Sequence, residues 1–397
     1  SAFKCCIKQY HYFCSSGWRA VLQLGQSSEI FKMIHALTKN LDKALFSIVV
    51  AWLTSRAIVL ITMWLTHTFA TDHYREFTSQ GFRLWDAGWY QQIITAGYEQ
   101  VGQESFRFFP GFVLIGRLVT QLLGGNEVWA SLLVANVFSL ITFLLLYRLI
   151  VSEGGSARRA TRTVWVFSVF PASFVLVWGY AESMFLTLTL LFFLSLRKQN
   201  WKVAAIFACM AGFTRPTGAL LFFAAISASG FSLWHGNLKQ RAEQLLACLG
   251  GPLGVAIFLL WSNLRTSENW LPFTVQREFR GGFIDPFRRA WSGFSEILNL
   301  EADAFHVLAA LFFLVLLVVI WKRLPRQYFW YSFVTFVVSI SAENLNSLER
   351  YLMTAFPFVM ALVILSEGKR SEKLIYPISA LGLVGLTVIS FLGIYVP

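Results

Sequence analysis

The chain has 397 residues, of which 56% are hydrophobic and 17% aromatic but only 14% charged. A soluble domain carries about 25% charged residues, so this composition excludes a soluble enzyme and, with its high apolar content, a disordered protein. The net charge of +12 does not indicate nucleic acid, because the basic residues form no run or stripe of the kind that such a partner requires. An all-α integral membrane protein is predicted, with its chemistry in loops.

Eleven apolar segments are predicted to cross the membrane, since a spanning helix needs about 20 predominantly apolar residues. They are 44–68, 128–148, 163–179, 183–196, 202–214, 216–233, 243–263, 304–321, 327–342, 351–366 and 374–395. A twelfth apolar segment, 108–124, opens with Pro110 and carries Arg117. Residues 1–43 are predicted to form a cytoplasmic N-terminal extension, and residues 44–397 the membrane domain.

The predicted orientation follows from lysine and arginine, because short cytoplasmic loops carry the excess of both residues. Basic clusters alternate with junctions that hold one arginine or none, and they lie at 148–162, 197–202, 239–241, 322–326 and 369–373. With a cytoplasmic N-terminus, segment 44–68 crosses outward and 128–148 returns, so 108–124 is predicted to be an amphipathic helix on the outer interface. Two long outer loops result, about 69–127 and 264–303.

The stretch 85–90, immediately outside the first predicted span, places Asp86 among the aromatic residues Trp85, Trp89 and Tyr90. A carboxylate flanked by aromatic side chains at the mouth of an apolar pocket is partly desolvated. Desolvation raises its pKa and suits it to act as a general base. The alternative is an interfacial aromatic belt with one solvated carboxylate.

Two short outer junctions each hold one charged residue. Glu182 lies between segments that are too short to cross upright, so their outer ends are predicted to leave a recess there. Arg215 precedes Pro216 in the second junction, where only a buried anion would compensate its charge. Glu182 and a phosphate are both candidate partners for Arg215. The alternative interpretation of Glu182 is an acidic residue that stabilises the N-terminus of the helix that follows.

Two further arginines are candidates: Arg350 at the start of an apolar segment and Arg56 inside one. Arg350, followed by Tyr351, precedes the segment 351–366, and arginine is suited to bidentate recognition of phosphate. The alternative interpretation is that the Arg350 side chain snorkels, extending its charged end to the membrane interface. Arg56 lies inside the first span, where a charge is by default functional or paired. No His or Cys residues stand at metal-ligand spacing, so neither a metal nor a cofactor is expected.

Together these motifs resemble the GPI mannosyltransferase 2 (PIG-V) family, and more broadly the polytopic GT-C glycosyltransferases that use lipid-phosphate sugars. The likeness covers about residues 44–366. It rests on Trp85-Asp86 with Tyr90 and Gly97-Tyr98, Phe108-Phe109-Pro110, Pro171-Ala172-Ser173 with Tyr180 and Glu182-Ser183, Thr214-Arg215-Pro216-Thr217-Gly218, and Arg350-Tyr351 with Phe356-Pro357. Trp89 replaces a His that is frequent in the family, and Gly111 replaces a second Pro. With no N-x-[ST] sequon, these departures favour a prokaryotic cell membrane over an ER membrane.

The resemblance implies an inverting transfer of mannose from a polyprenyl-phosphate donor to a lipid or glycan acceptor on the outer face. Asp86 is then the general base that deprotonates the acceptor hydroxyl. Four residues are expected to bind the phosphate or the sugar of the donor: Arg350, Arg215, Glu182 and Tyr351. Three more are expected to support the site: Trp85, Tyr90 and Arg56.

Two alternatives to a mannosyltransferase remain open. An enzyme of the same class would transfer another lipid-phosphate sugar, such as an aminoarabinose or a glucose, since nothing in the motifs distinguishes the sugar. A secondary transporter or lipid flippase would also explain the hydrophobicity and Arg56. Such a protein should show an internal repeat with discontinuous helices in two matching halves, and the sequence shows none.

Overall fold

The computed structural model describes residues 27–299, 303–368 and 370–397, which are helical almost throughout. Within these ranges the only strand-like pairing is an isolated bridge between Phe283 and Ala342. The predicted all-α class is confirmed.

The chain divides into two compact units, residues 1–49 and residues 50–397. The predicted N-terminal extension, 1–43, belongs to the first unit, and its residues 1–26 lie outside the described residues. The boundary at residue 43 stays a prediction. All the site residues predicted from the sequence lie in the second unit.

Nineteen helices, numbered in chain order, occur in the described residues. They are α1 (Ser27–Phe69), α2 (Asp72–Ser79), α3 (Asp86–Ala96), α4 (Tyr98–Val101), α5 (Pro110–Leu122), α6 (Glu127–Ser152), α7 (Ala157–Ser168), α8 (Glu182–Arg197), α9 (Trp201–Thr214), α10 (Leu221–Ser229), α11 (Ser232–His235), α12 (Leu238–Thr266), α13 (Leu271–Arg280), α14 (Pro286–Leu298), α15 (Ala304–Arg323), α16 (Arg326–Ile340), α17 (Leu348–Thr354), α18 (Pro357–Ser366) and α19 (Ser371–Phe391). Short 3-10 turns lie at Gly81–Arg83, Gln103–Arg107, Pro171–Leu176 and Pro216–Leu220.

Five helices of the described chain are long and apolar enough to cross a membrane: α1 through its residues Asp42–Phe69, α6, α12, α15 and α19. Helices α17 and α18 together pass the same test, but they are bent by 88° at their junction. Some of the other predicted spans coincide with shorter helices, such as α8 with 16 residues and α9 with 14. By length and composition the described chain therefore holds five candidate spans, or six with the bent pair, fewer than the eleven predicted.

Proline explains where the predicted spans are interrupted. The predicted span 163–179 is not one helix: α7 ends at Ser168, and a 3-10 turn begins at Pro171. Pro216 and Pro357 likewise stand directly after a break. Proline lacks the N–H of a helical hydrogen bond and disfavours helical geometry in the preceding residue. The breaks keep the charged junction residues close to the ends of short helices.

Glycine allows α9 and α12 to pack closely. A Cβ atom at Gly254 would overlap the carbonyl oxygen of Cys209, and one at Gly251 would overlap the carbonyl oxygen of Gly218. Small residues at such positions let helix backbones approach each other in membrane proteins. Because Gly218 belongs to the turn that follows Arg215, this packing fixes the backbone beside that arginine.

The basic junctions meet through ion pairs. Glu153, at the end of α6, lies 3.0 Å from Arg197 at the end of α8 and accepts a hydrogen bond from Tyr328 of α16. Glu372 of α19 lies 2.8 Å from Arg158 and 3.1 Å from Arg162 of α7. Three of the junctions predicted to be cytoplasmic, 148–162, 197–202 and 369–373, therefore meet at one end of the second unit. That this end faces the cytoplasm stays a prediction.

Helix α5 corresponds to the predicted interfacial segment 108–124. One face packs inward, with Phe112 and Gly116 buried, while Leu114, Leu118 and Leu122 form an exposed apolar stripe. Such a stripe fits a helix that lies at a membrane surface. Its location in the membrane stays a prediction.

Candidate functional site

Asp86 is placed by an unusual turn ahead of α3. Trp85 has φ 57° and ψ −138°, a conformation that costs a non-glycine residue of the order of 1–3 kcal/mol. Its indole Nε1 donates a hydrogen bond of 2.9 Å to the carbonyl oxygen of Ser390 in α19. A Cβ at Gly88 would overlap the carbonyl oxygen of Arg83, so the tight turn requires glycine there. Asp86 is thereby fixed in the first turn of α3, where a carboxylate is electrostatically favoured.

The carboxylate of Asp86 lies between two guanidinium groups. Its Oδ2 accepts a hydrogen bond of 2.6 Å from Arg350 Nη1, and its Oδ1 lies 3.7 Å from Arg107 Nη2. Asp86 retains 20% and Arg107 15% of their side-chain exposure, whereas Arg350 retains 4%. Asp86 and Arg107 therefore form the accessible edge of the cluster, and Arg350 forms its interior.

A second ion pair lies behind the first. Arg215 Nη1 pairs with Glu182 Oε1, and Arg350 Nε lies 3.5 Å from the same oxygen. The Glu182 side chain is fully buried, and Arg215 is 10% exposed. A buried charge is very costly without a partner, so each group requires the other. The structure brings Asp86, Glu182, Arg215 and Arg350 together. Of the two partners predicted for Arg215, it shows Glu182.

Tyrosine rings surround the cluster. The guanidinium carbon of Arg350 lies 5.1 Å from the ring centroid of Tyr351, and that of Arg215 lies 5.5 Å from the same ring. Arg350 Nη2 also donates a hydrogen bond of 3.3 Å to the Tyr351 hydroxyl. Burial raises the pKa of Tyr90 far above its usual range, so its hydroxyl stays protonated. Tyr90 thus contributes a neutral hydroxyl group near the site.

The structure reverses the predicted direction of the Asp86 pKa. Burial does raise this pKa, as expected from the aromatic neighbours, but the positive charges of Arg350, Arg107 and Arg215 lower it further, and the pKa lies below its usual value. Nearby opposite charges favour the ionised form of a carboxyl group. The prediction of a raised pKa is therefore wrong, and Asp86 is an anion at neutral pH.

Arg56 belongs to a separate polar cluster. Its guanidinium donates to Asn136 Oδ1 at 2.9 Å, to Ser55 Oγ at 2.8 Å, to the carbonyl oxygen of Leu176 at 2.9 Å and to Ser139. These contacts tie α1 to α6 and to the turn that leads towards Glu182. The structure therefore places Arg56 against the backbone that supports the site, and its role stays a prediction.

Sequence reasoning missed Arg107, although it directly precedes the quoted motif Phe108-Phe109-Pro110. It also missed a second buried cluster. His306 Nδ1 lies 2.9 Å from Glu349 Oε1, and the Tyr395 hydroxyl donates a hydrogen bond of 2.9 Å to Glu349 Oε2. These three residues are far apart in the sequence, so no spacing could have revealed the cluster.

An apolar groove of about 700 Å³ lies beside this second cluster. Helices α15, α18 and α19 form it, and its lining includes Phe313, Leu362, Ile378 and Glu349. Glu349, which borders the groove, directly precedes Arg350 in the chain. Its lining is suited to a hydrocarbon chain.

Comparison with known proteins gives few matches. No family model and no curated protein matches the chain. One match is a crystal structure of ArnT from Cupriavidus metallidurans bound to undecaprenyl phosphate. The match covers 86% of this chain and 76% of that chain, with 12% sequence identity and a TM-score of 0.47.

Proposed function

We propose that the protein is an inverting, lipid-linked glycosyltransferase that moves a mannose from a polyprenyl-phosphate donor to a lipid or glycan acceptor on the outer face of a membrane. The observation that carries the proposal is the accessible Asp86 carboxylate, held ionised against Arg350 and Arg107. An ionised carboxylate can accept a proton from a hydroxyl group, and neighbouring guanidinium groups can support a departing phosphate.

In the proposed reaction, the acceptor hydroxyl transfers its proton to Asp86 as its oxygen bonds to C1 of the sugar. The bond between C1 and the phosphate oxygen breaks, and its electron pair leaves with the polyprenyl phosphate. Attack opposite the leaving group inverts C1. A lipid phosphate is already a good leaving group, so the protein needs mainly positioning, one base and positive charge.

The charges of the cluster suit this leaving group. Among the described residues, Arg107, Arg215 and Arg350 pair with two carboxylates, Asp86 and Glu182, which leaves an excess of one positive charge for an incoming phosphate. Arg350 and Arg215 hold the two carboxylates. Tyr351 is proposed to orient the sugar, and the fully buried Glu182 to orient Arg215. Trp85 and Tyr90 support Asp86 through the turn and the packing around it.

The apolar groove offers a place for the polyprenyl chain. The chain is a branched hydrocarbon, and Phe313, Leu362 and Ile378 present the apolar surface that it needs. In the proposal, the phosphate of a lipid in this groove lies at the end that Glu349 borders, next in the chain to Arg350. Mannose is chosen because the chain resembles the PIG-V family, and a prokaryotic cell membrane because of the departures from that family and the lack of a sequon.

The proposal is tested with the purified full-length protein and three radiolabelled donors, which are polyprenyl-phosphate mannose, glucose and aminoarabinose. A total lipid and glycan extract serves as the acceptor. Release of polyprenyl phosphate together with a labelled glycan or lipid is expected, and fastest for mannose. Movement of intact donor across sealed vesicles without cleavage would support a flippase instead and contradict the proposal.

The direction of the Asp86 pKa predicts how activity depends on pH. Because the pKa is lowered in the folded protein, the ionised base persists as pH falls and is lost only below the usual carboxyl value of about 3.9. Values of kcat/KM, which report the free enzyme, should therefore stay level between about pH 5 and 7. An acid limb with a midpoint above about pH 5 would contradict this assignment.

A further inference from the structure

Arg107 differs from the other two arginines of the cluster in what it binds. Arg350 and Arg215 are committed to Asp86 and Glu182 through close ion pairs. The Nη2 atom of Arg107 lies 3.7 Å from Asp86 Oδ1, which exceeds the length of a hydrogen bond. Its Nε is buried and has no hydrogen-bond partner among the described residues. Arg107 thus retains hydrogen-bonding capacity beside the base.

Three aromatic rings hold the Arg107 guanidinium in place. Its central carbon lies 4.2 Å from the ring centroid of Phe279, 4.7 Å from that of Phe108 and 5.8 Å from that of Trp89. Aromatic faces attract a cation electrostatically, but they offer no oxygen acceptor. The rings therefore stabilise the charge while leaving N–H donors for a ligand.

The backbone on both sides of Arg107 is also braced. The Ser105 hydroxyl donates a hydrogen bond of 3.0 Å to the carbonyl oxygen of Tyr98, and the Tyr98 hydroxyl donates one of 2.8 Å to the carbonyl oxygen of Phe108. A group that is held in place before binding loses less conformational freedom when its ligand arrives. The 3-10 turn that ends at Arg107 is therefore preorganised.

We infer that Arg107 binds the phosphate of the lipid-linked donor directly, as the first cation that the phosphate reaches. This inference rests on the proposed function and makes it more specific, because the sequence motifs had assigned the phosphate to Arg350 and Arg215. Asp86 and Arg107 form the accessible edge of the cluster, so an entering anion meets Arg107 before the buried pairs. The planar guanidinium can donate two parallel hydrogen bonds to phosphate oxygens.

This placement couples donor binding to the base. A phosphate on Arg107 would neutralise part of the positive charge that now acts on Asp86, so Asp86 would become more basic when the donor is bound. The acceptor hydroxyl would then meet a stronger base only in the complex with donor.

The test measures binding without catalysis. Full-length protein in detergent is titrated with radiolabelled undecaprenyl phosphate and, separately, with undecaprenol, which lacks the phosphate. Arg107→Gln is expected to weaken binding of the phosphate lipid about tenfold to a hundredfold, as expected for loss of a charge-assisted hydrogen bond, and to leave undecaprenol binding unchanged. Arg107→Lys keeps the positive charge but cannot donate two parallel hydrogen bonds, so it should retain part of the affinity for the phosphate lipid.

Arg83→Gln is the matched control, because Arg83 lies in the same predicted outer loop, is 57% exposed and pairs with Glu127. It should bind both lipids like the wild type. If Arg107→Gln keeps the full preference for the phosphate lipid, the assignment of Arg107 is wrong while the proposed donor class stands. If the wild type binds both lipids equally, the lipid-phosphate donor of the proposed function fails as well.

Discussion

Asp86→Asn is expected to lower the rate of sugar transfer by about 10² to 10⁴-fold, the usual contribution of a general base. The amide has the same shape as the carboxylate, and its oxygen can still accept the hydrogen bond from Arg350. It cannot take the proton of the acceptor hydroxyl. Binding of undecaprenyl phosphate should persist or strengthen, since the substitution removes a negative charge beside Arg107. Both quantities are measured on the same detergent preparation.

Asp72→Asn provides the matched control for this substitution. Asp72 is an exposed acid in the first turn of α2 and lies in the same predicted outer loop, so its amide should leave the rate of transfer unchanged. Transfer by Asp86→Asn at nearly the wild-type rate would exclude Asp86 as the base. A loss of undecaprenyl phosphate binding that parallels the loss of rate would instead indicate a damaged fold.

Arg350→Gln is expected to impair both stability and donor use. Arg350 is buried between Asp86 and Glu182, and removing one partner from a buried ion pair costs about 3–5 kcal/mol. The thermal midpoint in detergent should fall, and saturation with the lipid-phosphate sugar should require more donor. Arg265→Gln is the control, because Arg265 forms an exposed pair with Glu99, and such pairs contribute about 0–1 kcal/mol.

A double variant separates the electrostatic cause from a general loss of packing. In Arg350→Gln combined with Asp86→Asn, the uncompensated carboxylate is replaced by a neutral amide. The thermal midpoint of the double variant should therefore lie above that of Arg350→Gln alone, since coupled buried charges are not additive. Equal or lower stability would show that the Asp86–Arg350 pair does not hold the cluster together. Unchanged donor saturation in Arg350→Gln would count against its role at the donor site.

The sequence predicted the helices well where length and apolar content decide them. The long segments 44–68, 128–148, 243–263, 304–321 and 374–395 all lie within, or extend only slightly beyond, the five long helices. The prediction overestimated the continuity of the shorter segments, because hydropathy does not register where Pro171 or Pro357 interrupts a helix. Hydropathy averaged over a window of residues responds to composition, whereas the interruption of a helix depends on the single N–H group that proline lacks.

The motifs predicted most of the candidate site. Asp86, Glu182, Arg215 and Arg350 were each singled out as a charge in an apolar setting, and the structure brings all four together. Of these contacts, only the pairing of Glu182 with Arg215 was predicted as a candidate, because a buried charge needs a partner. Arg107 was missed because it lies in a polar loop, where an arginine does not stand out as a charge in an apolar setting. Its importance becomes visible only when Asp86 and Phe279 are seen beside it.

The sequence by itself determined the class of protein, the approximate position of its long helices and which charged residues had to find partners, since these follow from local composition and from the cost of an unpaired charge in an apolar medium. Only the tertiary structure decided the partners: Asp86 with Arg350, and His306 with Glu349. It also decided the direction of the Asp86 pKa. The desolvation of Asp86 can be inferred from its aromatic neighbours in the chain. The positive charges that lower its pKa belong to arginines that only folding brings close to it.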